Sequence, residues 1–518
     1  MAPQLDVFAV APMMPVALGV LVLPMFEVLL MRRGSVLGQP MSAARRGTYL
    51  ATLSVGFLLV SLLLTMNAFS QPLRTFNPEN PMVRMDGVAL FLCATVLIGA
   101  VLTVLASTKY LEHVHSNWGE FYTLVLSSVT GMMFLASAAD LLMLFLSLEL
   151  MSIPVYALAG FRRASLRSNE SAVKYFLIGS FASGLLLYGS ALLYGATGSL
   201  ELTEIATSFD PESALDLCGA GLLLVGLAFK ISSVPFHQWA PDAYEGAPTT
   251  VSGFMATTVK VAAFGALVRV VSVALAPAAD ALGSVLWVLA VLTMTIGNVM
   301  ALIQRNTKRM LAYSSIAHAG YLLIGVLVGG EAGTGAVLFY LLSYTFMTIG
   351  AFTVVSVLAR DGREYDAIDD LSGLVQTKPF LAIVMSACMF SLLGMPLTAG
   401  FVGKFLVFSS AVQQGLANGS SSLVWLVVIA VLNSALSLGY YLRVVAVMFF
   451  QPPREDVQPS EPGSFERIVL LACFAGVLLL GILPQDALPW VVSLVNLPDV
   501  NVLQLAADAA ASLANASP

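Results

Sequence analysis

Apolar runs of roughly twenty residues, each closed by a short polar or basic connection, recur from one end of the chain to the other, a spacing that predicts helices long enough to cross a bilayer. By run length there are about fourteen: 7–30, 48–70, 86–107, 120–138, 140–160, 172–195, 215–238, 249–274, 281–303, 308–329, 333–358, 379–412, 422–449 and 466–490. A transmembrane barrel would show short alternating segments instead. Two runs are interrupted, the first at Pro235 in SSVPFHQW and the second in FSLLGMPLTAGFVGKF, where Pro396 sits among Gly394, Gly400 and Gly403. Proline removes a helical hydrogen bond and clashes with the preceding turn, and backbone freed at membrane depth must face protein or a wet cavity. About five helices separate the breaks, an odd number that inverts the second copy. The pattern therefore predicts an all-α polytopic membrane protein, one domain over 1–518, containing two inverted five-helix units at 120–274 and 281–449.

Composition sharpens this. With 58% hydrophobic and only 10% charged residues, no soluble domain of 518 residues is expected. The first run lacks a basic lead and a small-residue cleavage site, so it is expected to remain as a helix, and the Ala-rich stretch at 500–518 is expected on the outer surface. A net charge of -6 argues against a nucleic-acid partner. Cys93, Cys218, Cys388 and Cys473 stand singly in apolar runs, without the spacing of a cluster, a zinc site or a redox dithiol, and read as packing residues. No CxxCH appears, so any electron carriers are expected in other chains. Basic residues gather after the first, fifth, ninth and eleventh runs: Arg32, Arg33, Arg45 and Arg46; Arg162, Arg163 and Arg167; Arg305, Lys308 and Arg309; Arg360, Arg363 and Lys378. The alternate connections are nearly bare of lysine and arginine, so the odd-numbered ones are expected in the cytoplasm and both termini outside.

Charges inside the apolar runs are the candidate chemistry, because each is costly there unless paired, hydrated or neutralised. Lys230 and Lys260 stand at similar distances, roughly fifteen residues, on either side of Glu245, and so at similar depth on two antiparallel arms. Glu149, near the middle of the fifth run, is the expected ion-pair partner of Lys230. Lys404 follows the second break as Lys230 precedes the first. A carboxylate that alternately holds and releases Lys230 would make the next lysine take or lose a proton. The competing structural readings are an ion pair that only locks helices, and lysines that reach an interface. His318 in SSIAHAGYLL and His237 beside Pro235 suit a proton relay, or packing. Arg269 and Lys174 stand near run ends, where reaching the interface is expected, and Glu27 in the first run and Asp140 at the start of the fifth are minor candidates.

With these residues in place, PFHQWAPDAYEGAPTTVSGFMATTVKVAAF, NESAVKYFLIGSFASG, KRMLAYSSIAHAGY and GMPLTAGFVGKF resemble the antiporter-like membrane subunits of proton-pumping NADH-quinone oxidoreductase, respiratory complex I. The resemblance extends over nearly the full length. It is to the N type: the M type tends to carry glutamate at the Lys404 position, and the L type would add a long lateral helix. The first helices, absent from the shortened animal mitochondrial versions, favour a bacterial source. The resemblance implies fourteen helices with two inverted five-helix repeats, and proton transfer by Glu149, Lys230, Lys260, His318 and Lys404. It implies partners among the other membrane and peripheral subunits, in a bacterial cytoplasmic (inner) membrane. NADH, FMN, iron–sulfur clusters and quinone would be bound by those partners and no redox centre by this chain. Two rival readings remain at this point: a subunit of a multisubunit cation/proton antiporter or membrane-bound hydrogenase, and a non-transporting membrane scaffold.

Overall fold

In an apolar solvent a backbone must satisfy its own hydrogen bonds, and the predicted runs do so as helices. The computed structural model describes residues 5–36, 42–116, 118–455, 457 and 460–484; the end of the run predicted over 466–490 and the tail at 500–518 lie outside them. The helices are α1 (Met14–Val36), α2 (Ala43–Ala68), α3 (Gly87–His113), α4 (Glu120–Ser137), α5 (Leu141–Ala159), α6 (Leu166–Thr197), α7 (Leu202–Ser208), α8 (Ala214–Lys230), α9 (Trp239–Gly246) and α10 (Thr249–Phe254). They continue as α11 (Lys260–Arg269), α12 (Ala279–Leu302), α13 (Thr307–Val328), α14 (Gly330–Val357), α15 (Leu374–Thr377), α16 (Pro379–Leu393), α17 (Ala399–Ala417), α18 (Ser421–Phe450) and α19 (Ser464–Ile482). Between α2 and α3, Arg74–Thr75 pairs antiparallel with Arg84–Met85.

Twelve helical spans among the described residues are long and apolar enough to cross a membrane. The runs predicted over 215–238 and 379–412 take another form, because proline stops each of them. In the first, α8 ends at Lys230 after 17 residues. The second divides into α16 and α17 around 394–398. The run at 249–274 is continuous but not uniform, since π-helical turns occupy Met255–Val259 and Val270–Ala274.

Burial orders the bundle. In the apolar centres of α13 and of the span that joins α10 to α11, 94% of positions are buried, against 17% in that of α1, so the former lie at the centre and the latter at the rim. Leu21, Leu63, Phe181 and Leu432 expose their side chains on α1, α2, α6 and α18, as apolar solvent permits. The centre is tight because small residues let backbones touch. A Cβ on Gly297 of α12 would lie 2.6 Å from the Ala317 nitrogen, and one on Gly320 of α13 would lie 2.5 Å from the Met294 nitrogen.

The second break depends on a similar approach. The Gly400 nitrogen donates to Ser391 Oγ at 3.0 Å, and a Cβ at Gly400 would collide with the Ser391 carbonyl oxygen. Gly400→Ala should therefore lower stability by about 1–3 kcal/mol and reduce the yield of assembled protein. Thermal unfolding of the purified complex checks this, and an unchanged transition would contradict the packing.

Candidate functional site

Lys404 reaches backward across the second break. Gly394 (φ 90°) and Leu397 (φ 69°) turn the chain sharply at the end of α16, leaving the last carbonyls of that helix without partners in the next turn. Lys404 Nζ donates to the carbonyls of Leu392 (3.0 Å) and Leu393 (2.9 Å) and to Ser434 Oγ of α18 (3.0 Å). A cation at a helix C-terminus also meets the negative end of its dipole. The ammonium lies 4.9 Å from the centroid of the Tyr321 ring.

The middle of the site is one face of α13. Ser314, Ser315, His318 and Tyr321 recur at helical spacing, so they line up along it. Lys260, the first residue after a π-helical turn, donates to the Ser315 carbonyl at 2.7 Å. His318 lies between two phenols, with Nδ1 2.5 Å from the Tyr340 hydroxyl and Nε2 3.0 Å from the Tyr441 hydroxyl. Tyr441 in turn bonds Ser314 Oγ. Beside this row, Tyr440 donates to Asn298 Oδ1 at 2.9 Å and Asn298 Nδ2 to Tyr321 at 3.0 Å, so the phenol under Lys404 is itself held.

Lys230 occupies a third station, at the first break. There the Val234 nitrogen donates to Thr293 Oγ1 of α12 at 3.0 Å, Ser233 Oγ lies 2.9 Å from the same atom, and Trp239 Nε1 donates to the Phe229 carbonyl at 3.1 Å. The backbone freed by proline is thus bonded to protein, as expected of irregular chain at membrane depth. Lys230 Nζ donates to Ser152 Oγ (2.7 Å) and the Tyr156 hydroxyl (3.0 Å), within 5.2–5.8 Å of the ring centroids of Tyr156, Phe229 and Tyr175. Trp239 stacks on Tyr175 with centroids 4.2 Å apart. Gly179 of α6 makes this possible, since a Cβ there would collide with the Tyr156 hydroxyl.

The expected Glu149–Lys230 ion pair is not formed. Glu149 stands on the same face of α5 about one turn before Ser152 and two before Tyr156, and its Oε1 is buried without a partner. The ammonium is instead satisfied by neutral acceptors and aromatic faces. Glu149 and the Lys230 acceptors Ser152 and Tyr156 thus share one face of α5.

His237 is half-buried in the first break, its Nδ1 has no hydrogen-bond partner, and none of its bonds reach the lysine row. The run-end cations and the minor candidates are structural: Arg269 pairs with Asp86 at 2.6 Å, Lys174 with Glu170 at 2.7 Å and Asp242 at 2.8 Å, Glu27 accepts from the Gly119 nitrogen at 3.1 Å, and Asp140 caps α5 through the Met143 nitrogen at 2.5 Å. Cys93, Cys388 and Cys473 are buried, and Cys218 is exposed. Sequence reasoning missed the phenols of Tyr156, Tyr340 and Tyr441. Tyrosine in an apolar run looks like packing, and only the fold brings Tyr441 of α18 beside His318 of α13.

Known proteins resemble this chain to different depths. The transmembrane family described as NADH:quinone oxidoreductase/Mrp antiporter matches residues 138–437, which hold every candidate from Glu149 to Lys404. NADH-quinone oxidoreductase subunit N of Trichlorobacter lovleyi is 44% identical over 453 residues, covering 87% of this chain and 91% of that one. Subunit N 1 of Sorangium cellulosum is 41% identical over 505 residues, 93% and 96% of the two chains. A chain of respiratory complex I from Thermus thermophilus with bound aureothin aligns at a TM-score of 0.74 and 37% identity, covering 91% of this chain and 98% of that one. A chain of the Mrp complex from Dietzia, at a TM-score of 0.81 and 22% identity over 96% and 98%, shares the fold. With identity this extensive on top of a matching bundle, the chain belongs to the NADH:quinone oxidoreductase/Mrp antiporter transmembrane family, alongside its subunit N members.

Proposed function

We propose that this chain is a proton-translocating membrane subunit of an NADH-quinone oxidoreductase, moving protons across a bacterial inner membrane while partner subunits reduce quinone. Catalysis of the redox step, with NADH, FMN, iron–sulfur clusters and quinone, belongs to those partners. Among the described residues no group of three or more His, Cys, Asp or Glu could hold a metal. By the positive-inside rule the ends of α1, α5, α12 and α14, each followed by a cluster of lysine and arginine, face the cytoplasm, which puts both termini on the outer side. Protons enter near Lys230 and Lys260, pass along the α13 face through His318 and its phenols, and leave by Lys404. The two units at 120–274 and 281–449 frame the route as inverted halves, each contributing one broken helix.

The observation that carries this reading is the buried row itself: Lys260 on Ser315, His318 between Tyr340 and Tyr441, and Lys404 on the open end of α16. Among the described residues none of Lys230, Lys260 and Lys404 is paired with a carboxylate; their ammonium groups are held by hydroxyls and carbonyls. An ammonium held by neutral acceptors can release its proton without stranding a partner charge. Imidazole between two hydroxyls can accept on one nitrogen and donate from the other.

The test is Lys260→Met in the purified complex, reconstituted in liposomes with NADH and a quinone. Lumen acidification should fall about tenfold or more, the scale on which a positioned proton carrier acts. Normal acidification by a normally assembled complex would overturn the role. The antiporter-subunit reading is separated by the companions that copurify: flavin and iron–sulfur absorbance supports the oxidoreductase, and small antiporter subunits alone support the rival.

A further inference from the structure

Glu364, in the connection between α14 and α15, collects donors from four other parts of the chain. One oxygen accepts from the Tyr110 hydroxyl of α3 (2.5 Å) and from the nitrogen (3.0 Å) and Oγ1 (2.5 Å) of Thr249, where α10 begins. The other accepts from Arg162 Nη1 in the loop after α5 (2.5 Å) and faces Lys308 Nζ of α13 at 3.4 Å. The Glu364 side chain is 11% exposed and that of Lys308 0%, so this is an interior cluster and not a solvated surface pair. Lys308 also donates to the Ala247 carbonyl at 2.7 Å. Arg309 beside it is taken by Asp242 (2.7 Å) and Glu245 (2.9 Å), which leaves Glu364 as the sole carboxylate on Lys308 among the described residues.

Two of the helical spans gathered here carry part of the row. The span beginning at Thr249 reaches Lys260 after about eleven residues, and α13 reaches His318 from Lys308 after about ten, so the cluster lies on the order of 16 Å from both. The charges facing the carboxylate are Arg162 and Lys308, and the one neutral titratable group is Tyr110. Lys260 in turn faces the Ser315 carbonyl and lies within electrostatic reach of His318. Arg162 and the buried Lys308 thus share Glu364 as their carboxylate among the described residues, while Arg309 beside them is balanced by Asp242 and Glu245.

We infer that Glu364 is a positioning and charge-balancing residue for the proton route, clasping the helices that bear Lys260 and His318 and cancelling part of the positive field that Arg162 and Lys308 set up there. The inference rests on the proton-route reading above. Burial pushes the Glu364 carboxyl up, but Lys308 and Arg162, with the bonds from Thr249 and Tyr110, outweigh burial and hold it below the ordinary carboxylate value. It remains an anion at neutral pH. Without it, an uncompensated charge at that distance disfavours the protonated form of the row by about half a pH unit to one unit at an effective dielectric near 20.

The experiment is proton pumping by the reconstituted complex as a function of pH, with copurification of partner subunits as the assembly control. Glu364→Gln should move the profile toward acid by about half a unit to one unit, Lys308→Met should move it toward alkali by a similar amount, and the double variant should return close to the parent. A purely structural clasp would lower the rate of all three without moving the midpoint, and superposed midpoints overturn the inference. If Glu364→Gln does not assemble, Lys308→Met decides alone: an alkaline shift supports the inference and an unmoved profile refutes it. Failure of the unaltered complex to pump would instead refute the proton-route reading.

Discussion

Lys404→Arg is expected to stop proton pumping as completely as Lys404→Met, a loss of about tenfold or more in each, although arginine keeps the positive charge. The two substitutions separate a proton carrier from a structural cation. Lys404 closes the end of α16 through the carbonyls of Leu392 and Leu393, and arginine, rich in donors, can still do that. Arginine cannot give up its proton in a protein. If the buried charges served only to specify packing, the arginine variant would pump like the parent, and that result in liposomes would remove Lys404 from the route. Methionine leaves the α16 carbonyls open as well, so its thermal stability should fall while that of the arginine variant holds.

The second large effect is expected at Lys230. Lys230→Ala should abolish pumping by the assembled complex, because the station beside Glu149 would have no ammonium to exchange. Undiminished pumping with normal assembly would remove it from the switch. The same pocket allows a finer check. Ser152 and Tyr156 are the acceptors that hold Lys230, and bonds to a charged donor are each worth about 1.5–3 kcal/mol. Removing both, as Ser152→Ala with Tyr156→Phe, should shift the population by a factor of about ten or more toward a Glu149–Lys230 ion pair. A structure of that variant with the two side chains still apart would mean that no closed state competes.

Long apolar runs made the bundle legible in the sequence, since helices are what such runs can form in lipid. The breaks were legible as well, because proline and glycine leave a local mark, and so were the lysines, which stand out against their neighbours. Partner choice was not. Glu149 and Lys230 look complementary on a line of letters, yet Tyr156 fits into the space left by Gly179, two helices meeting in a way that no local pattern encodes. The π-helical turn before Lys260 was equally silent, since Met255–Val259 reads as ordinary helix. Glu364 lies in an unremarkable polar connection, and only the fold brings it to Tyr110, Arg162, Thr249 and Lys308.

The placement of Ser314, Ser315, His318 and Tyr321 on a single helical face limits how this chain can vary in length. Adding or deleting one residue in α13 turns everything beyond it by about 100°, which would swing the imidazole away from its phenols and Tyr321 away from Lys404 together. At the rim, α1 and α2 can absorb the same insertion by presenting a different apolar stripe to lipid.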